Sequence, residues 1–346
     1  MELIEVPPGL AGVAVTATSI GDVVGDAGFY HYRGRSAIDL ASSDFESVAS
    51  LVLDGSDEPA LGERALPADL DDAVLSGDLR SAISALGAAL STVPLADLDP
   101  AERRRQAAAL AGAFPTLVAS QHLGRRVEPD PAFGHVANYL AMLHGEAPPP
   151  ALARALETYF ILTIEHGFNA GSFTARVVAS TGADLGACVL AAFAALTGPG
   201  HGAVQTRVLD MFAEIGEPDH AEDWMRSALA SRQRVLGIGH AVYRTADPRA
   251  AVLAPLCAQL APRQYALATA VETAAAKVLA GRRLAANVDL YAPVLLEACG
   301  IPRSLFTATF ACARVVGWCA HILEQATERK IIRPAAYYVG PPPVPR

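Results

Sequence analysis

An all-α fold with a small N-terminal β feature is predicted, and three observations predict it. Apolar residues recur at three- and four-residue spacing along most of the 346 residues, the period of a helix with one buried face. Alanine, the strongest helix former, fills many of the positions between them. Hydrophobic residues make up 52% of the chain and charged ones only 18%, enough apolar surface for a sizeable core and too little charge for disorder.

The β feature comes first. GVAVTATSIGDVVGDAGFYHYRG, residues 12–34, reads as a short strand, a turn around Gly25 to Gly28, and a second strand ending at Gly34. Helical period then takes over in SDFESVASLVL, DLRSAISALGAAL and ERRRQAAALAGAFPTLVAS, and GEAPPPALARALETYFILTIEH has a proline-marked start. In STGADLGACVLAAFAALTGPGHG, Thr181 with Asp184 resembles a capping box, and Gly198 to Gly200 ends the helix. HAEDWMRSALASRQRVLG is expected to stay helical to Gly237. Asp247 and Pro248 offer an N-cap and a first helical residue. After RQYALATAVETAAAKVLAGRR comes a break at NVDLY. A last helix is expected from about RSLF to Arg329, ahead of a loose Pro-rich tail.

Composition excludes several function classes. A net charge of -9 supplies no basic field, so nucleic acid is not expected as a partner. Lysine occurs only at positions 277 and 330, so an anionic ligand would have to be met by arginines gathered locally. The five cysteines form no CxxC pair, as buried reduced thiols of a cytoplasmic protein would. The N-terminus has no basic stretch followed by an apolar one, so no targeting signal is expected. The most apolar long segment, residues 305–323, carries Arg314 at its centre; in lipid that costs about 2.5–3.5 kcal/mol. A buried helix is expected there, and no membrane partner.

Chemistry-bearing residues cluster at breaks in the helical pattern. His166, His201 and His240 sit in EHGFNAG, GPGHG and GIGHAVY, where glycines let a ligand approach the backbone closely. Without HExxH or Cys/His spacing, no metal site is expected. Arg249 opens a helix, Arg314 lies inside an apolar one, and Arg333 follows the last. Each is either half of a buried salt bridge or the counter-charge of a ligand carboxylate. Asp289 alone reads as an N-cap or turn aspartate, and becomes a candidate base once an acid such as His201 stands opposite it.

Taken together, these motifs resemble the citrate synthase family in its short bacterial form, from Gly9 to Gly340. The likeness rests on GVAVTATSIGDV, EHGFNAGSFTARVVASTGAD, GPGHG, GIGHAVYRTADPRA, NVDLY, ARVVGWCAHILEQ and IIRPAAYYVGP in order. It implies condensation of acetyl-CoA with oxaloacetate to citrate and CoA, with 2-methylcitrate synthesis from propionyl-CoA as the nearest alternative. Citryl-CoA cleavage and a non-catalytic scaffold lie further off. His201, His240 and Asp289 would be catalytic, and His166, Arg249, Arg314 and a partner-supplied Arg333 would hold oxaloacetate. CoA would lie on the loop Val235, Leu236, Gly237, Ile238, Gly239, with Arg244 and Arg282 at its phosphates. No permanent cofactor is implied, since acetyl-CoA is a co-substrate.

The resemblance further implies a cytoplasmic homodimer, with a large domain at residues 1–202 and 301–346 and a small mobile domain at 203–300. The sequence departs from the family pattern at Gly167, at Ala203 to Thr206, and at Ala335. These changes bear on acyl selectivity and CoA affinity.

Overall fold

The computed structural model describes residues 6–56, 61–198, 204–281, 284–328 and 330–341. Among them lie fourteen α-helices and one three-stranded antiparallel sheet, which bears out the fold class. Strands β1 (Gly21–Val24) and β2 (Phe29–Tyr32) form the expected hairpin, and β3 (Arg35–Ser36) adds a short third edge. The register pairs Gly21 with Tyr32 and Val24 with Phe29, so Tyr30 and Tyr32 both point into the core.

The helices are α1 (Ala37–Leu40), α2 (Phe45–Asp54), α3 (Leu79–Leu90), α4 (Pro100–Leu123), α5 (His135–His144), α6 (Pro150–Thr163), α7 (Ala170–Ala179) and α8 (Leu185–Leu196). After them come α9 (Val204–Ile215), α10 (Ala221–Ala230), α11 (Pro248–Leu260), α12 (Pro262–Val278), α13 (Val288–Ala298) and α14 (Phe306–Gln325). Side-chain caps start many of them. Asp44, Asp78 and Asp99 accept from backbone N–H groups of the first turns of α2, α3 and α4, which is what an aspartate before an apolar period does.

The core is built around α14, which packs on α2, α4, α6, α7 and α8. Small residues let its neighbours come close: a Cβ on Gly317 would stand 2.3 Å from the Ile164 carbonyl oxygen. Helices α3 and α8 cross the same way, since a Cβ on Gly87 would stand 2.6 Å from the Cα of Gly186. Burying Phe306, Val315, Val316 and Trp318 contributes about 1.5–3 kcal/mol each. Together that outweighs the several kcal/mol needed to desolvate Arg314 in the same helix.

Among the described residues, two stretches are long and apolar enough to cross a bilayer, Leu79–Asp97 and Arg303–Gln325. The second is 94% buried inside the protein, as expected of a core helix. In the first, regular helix stops at Leu90 after 12 residues, short of the roughly 20 that a span requires.

Three boundaries differ from the sequence reading. Asp184 caps α8 itself, accepting from Ala187 N, and Thr181 instead bonds back to the Val178 carbonyl. Helix α10 ends at Ala230 rather than Gly237, because Arg232 takes a left-handed φ of 59°. There Gln233 N–H bonds Ala228 and Arg232 N–H bonds Leu229, a closing motif usually built on glycine. Helix α14 stops at Gln325, four residues before Arg329.

Candidate active site

Three carbonyls at the C-terminal end of α6 have no partner within the helix, and the way they are satisfied begins the site. Tyr32 donates to the Ile161 oxygen at 2.8 Å, Tyr30 to Leu162 at 3.1 Å, and Arg314 Nε to Thr163 at 2.6 Å. Strand β2, α6 and α14 are thereby pinned together. Gly167, with φ of 65°, then turns the chain, and the Asn169 carboxamide oxygen caps α7 by accepting from Gly171 N and Ser172 N. The turn leaves His166 between α6 and α7, its ring edge-on to Tyr30 at 5.3 Å. The departure at Gly167 thus occupies a backbone conformation that glycine adopts freely.

The opposite wall is the loop between α10 and α11. Gly239 N–H donates to Ala285 O at 2.8 Å, Asn287 N–H donates to Gly237 O at 2.9 Å, and Ile238 pairs with Ala286. This short zipper joins the glycine loop to the segment that opens α13. Gly237 has φ of 75°, and a Cβ there would meet Leu290 at 2.8 Å. The hairpin turn closes on the same loop from outside, because Arg244 N–H bonds Gly25 O at 3.1 Å.

His240 is held in one tautomer. Its Nδ1 accepts from the backbone N–H groups of Val242 and Tyr243 at 3.0 and 3.1 Å, so the proton resides on Nε2. Burial and the adjacent Arg249 guanidinium lower its pKa to about 4, keeping the ring neutral. Arg249 lies 3.3 Å from Nε2; both atoms then carry hydrogens, so that approach is a contact rather than a hydrogen bond. His240 therefore presents a neutral N–H donor. His166 stands beside it, ring centroids 5.5 Å apart, with its Nε2 hydrogen-bonded to the Tyr243 hydroxyl at 2.9 Å. Burial, with Arg249 and Arg314 nearby, pushes the His166 pKa well down.

The two buried arginines have different surroundings. Arg249 is bound by Asp247 through Nε at 3.0 Å and Nη2 at 2.8 Å. Burial opposes the charge on Arg249, and the Asp247 carboxylate more than offsets that, raising the pKa. Asp247 also accepts from Val288 N at 3.0 Å, tying the turn to the start of α13. Arg314 is 2% exposed and forms no ion pair with any described carboxylate. It has the Thr163 oxygen, the Phe310 ring at 4.6 Å, and burial that lowers its pKa. The buried Glu165 carboxylate acts on it from beyond ion-pair distance and lies 3.3 Å from His321 Nε2.

Asp289 sits in the first turn of α13, but it is not the cap. Asn287 has that duty, accepting from Asp289 N at 2.8 Å, so the Asp289 carboxylate is not spent on capping the helix. Burial raises its pKa, while Arg249, Gln205 and Arg234 pull the other way. A partly buried carboxylate with strengthened basicity, beside a neutral imidazole donor and two guanidiniums, is suited to taking a proton from carbon while a carbonyl is polarised.

Val235 and Leu236 are buried, whereas Ile238 and Gly239 are partly exposed on the loop. Arg244 is exposed. Arg333 is exposed on the C-terminal segment, next to Ile332, whose N–H is anchored on the Ser180 hydroxyl at 3.0 Å. His201, Arg282 and Ala203 lie outside the described residues; of the other departures, Gln205 is buried and Ala335 is exposed. Among the described residues no group of three or more His, Cys, Asp or Glu side chains could hold a metal. Sequence reasoning missed Tyr243, Asn287 and the pairing role of Asp247. Tyr243 follows His240 by three residues in the loop, the one local signal available.

Comparison with known proteins gives a consistent result. The family described as "Citrate synthase, C-terminal domain" matches residues 9–335. Citrate synthase of Mycolicibacterium smegmatis is 35% identical, with 96% of this chain and 95% of that protein covered. The crystal structure of citrate synthase from Thermotoga maritima superposes with a TM-score of 0.86 at 33% identity, covering 98% of this chain and 97% of that one. A Thermoplasma acidophilum citrate synthase, solved as a ternary complex with carboxymethyl coenzyme A and oxaloacetate, gives a TM-score of 0.88 at 26% identity, covering 99% of this chain and 98% of that one.

Proposed function

The chain belongs to the citrate synthase family, and from that premise we propose that it condenses acetyl-CoA with oxaloacetate and water to give citrate and CoA. One observation carries the assignment of roles: Asp289, the neutral His240 donor and the buried Arg249 and Arg314 converge on one site. Asp289 takes a proton from the acetyl methyl, and His201 hydrogen-bonds the thioester oxygen as charge develops there. The resulting carbon nucleophile attacks the ketone of oxaloacetate while His240 Nε2–H donates to the ketone oxygen. Water then cleaves the thioester of citryl-CoA, releasing CoA and leaving the new carboxylate.

A thioester methyl is a weak carbon acid, so the donor at the oxygen is as necessary as the base. One such donor contributes about 3–4 kcal/mol in other enzymes. His166, Arg249 and Arg314 hold the oxaloacetate carboxylates, and Arg333 reaches the partner's site in a homodimer. The exposure of Ile331, Tyr337, Tyr338 and Val339 beside Arg333 supports a partner surface there. CoA lies along Val235 to Gly239, with Arg244 and Arg282 at its phosphates. Residues 203–300 act as a small domain closing on the rest, in a cytoplasmic enzyme. The packing of α9 to α13 chiefly on one another supports that division.

Thiol release by the purified protein tests this reading. Oxaloacetate-dependent CoA release from acetyl-CoA is expected, and none with either acetyl- or propionyl-CoA would overturn it. A higher kcat/KM for propionyl-CoA would reassign the product to 2-methylcitrate. Mixing inactive Arg333→Ala and Asp289→Asn subunits should restore part of the activity. No recovery in proven heterodimers would remove the shared site.

A further inference from the structure

The zipper between the glycine loop and the start of α13 has one rung made by a side chain. Asn287 is 9% exposed, and its backbone N–H donates to Gly237 O at 2.9 Å. Its carboxamide is shared between the segments of Asp289 and His240: Oδ1 accepts from Asp289 N–H at 2.8 Å, and Nδ2 donates to the Gly239 carbonyl oxygen. An N–H on one side and a carbonyl on the other leave the amide a single orientation. The Gly239 carbonyl belongs to the peptide that leads into His240, and Gly239 has a left-handed φ of 84°. Glycine accepts many peptide orientations, so the bond from Asn287 selects one. Beyond that peptide, the N–H groups of Val242 and Tyr243 hold the His240 ring through Nδ1. On the other side, Asp247 accepts from Val288 N–H at 3.0 Å, which fixes the residue between Asn287 and Asp289. One side chain thus ties the backbone of the base to the backbone that carries the ketone donor.

We propose that Asn287 is a positioning residue for the condensing reaction, setting the Asp289 base against the His240 donor. The inference rests on those two residues having the roles given above. Asp289 serves the acyl methyl and His240 the ketone, so their separation decides whether the new carbon nucleophile meets its acceptor. Reacting atoms must come within about 3–3.5 Å, and a misplacement of about 1 Å costs about 100-fold in rate. A plain helix cap would need only Oδ1, and serine or aspartate would serve as well. The Nδ2 bond adds nothing to the cap: it ends 48 residues away in sequence, on the peptide next to His240.

The test compares CoA release, oxaloacetate binding and urea unfolding in wild type, Asn287→Ala, Asn287→Ser and Asn287→Asp. Alanine loses both bonds, whereas serine and aspartate keep a cap and bring no amide N–H to Gly239. Serine should regain most of the stability that alanine loses. All three variants should nonetheless turn over about 10- to 100-fold more slowly than wild type. Oxaloacetate affinity by calorimetry should stay within about twofold, since Asn287 is not among the groups that hold it. In an Asp289→Asn background, adding Asn287→Ser should cost less than about threefold, because aiming a base that is gone gains little. Turnover that recovers along with stability in Asn287→Ser, or near-wild-type turnover in Asn287→Asp, would overturn the inference. So would an undiminished loss from Asn287→Ser in the Asp289→Asn background. A wild type that releases no CoA would instead remove the condensing reaction on which the inference rests.

Discussion

Arg249 and Arg314 are buried to the same degree, 3% and 2% exposed, yet they stand in opposite electrostatic situations. Arg249 arrives with its own counter-ion, two residues away in the same turn. Arg314 has a carbonyl, an aromatic face and no carboxylate at pairing distance among the described residues. The difference separates two electrostatic settings that sequence alone does not distinguish. The first arginine is held in place beside His240 by Asp247, which also ties the turn to α13. The second carries its charge with no carboxylate at pairing distance among the described residues, as the proposed role in holding oxaloacetate requires.

Breaking the first arrangement should have the largest effect on stability. Asp247→Ala leaves Arg249 charged and unpaired in the interior, and a loss of about 3–5 kcal/mol in denaturant unfolding is expected. Arg314→Met should behave in reverse. The apoprotein should change by less than about 2 kcal/mol, because a costly charge leaves with its hydrogen bond. Oxaloacetate affinity measured by calorimetry should fall about 10- to 150-fold, the worth of one charge-assisted hydrogen bond of about 1.5–3 kcal/mol. If Arg314→Met unfolded as readily as Asp247→Ala, the contrast between the two arginines would be lost.

Smaller effects sharpen the account of the loop. Gly237→Ala must hold a left-handed φ and press on Leu290, so a loss of about 1–3 kcal/mol is expected, with a raised KM for acetyl-CoA. The pH dependence follows from the histidines. His240, with a folded pKa near 4, and His135, near 3, are both held below the 6.5 of an unfolded histidine. Between those values the unfolded chain binds more protons. Their contribution is therefore complete above about pH 6.5 and is lost as pH falls, to about 4 for His240 and about 3 for His135. Imidazole nitrogen NMR at pH 6 should show His240 neutral with its proton on Nε2, and an imidazolium there would contradict the tautomer.

Much of the fold was legible because its signals are local. The hairpin at Gly25 to Gly28, the helical period and the cap formed by Asp247 ahead of Pro248 each reside within a few residues. The end of α10 was hidden because an arginine takes a conformation that glycine usually supplies. Thr181 at a capping-box spacing gave way to Asp184, which stands next to the first helical residue and caps it directly. At the site, the chemical residues could be named from motifs, but their working states could not. The zipper between Gly237 to Gly239 and Ala285 to Asn287 joins segments about fifty residues apart, and no local period announces it. The same holds for the bond from Tyr243 to His166, and for the absence of a described carboxylate at pairing distance from Arg314.

The central claim is that Asp289 is the base of a condensing reaction whose acceptor is held by other groups. Its most direct test is Asp289→Asn, with CoA release and oxaloacetate binding measured on the same preparation. Turnover is expected to fall by about 10²- to 10⁴-fold while oxaloacetate binds as in wild type. Near-normal turnover in that variant would contradict the account.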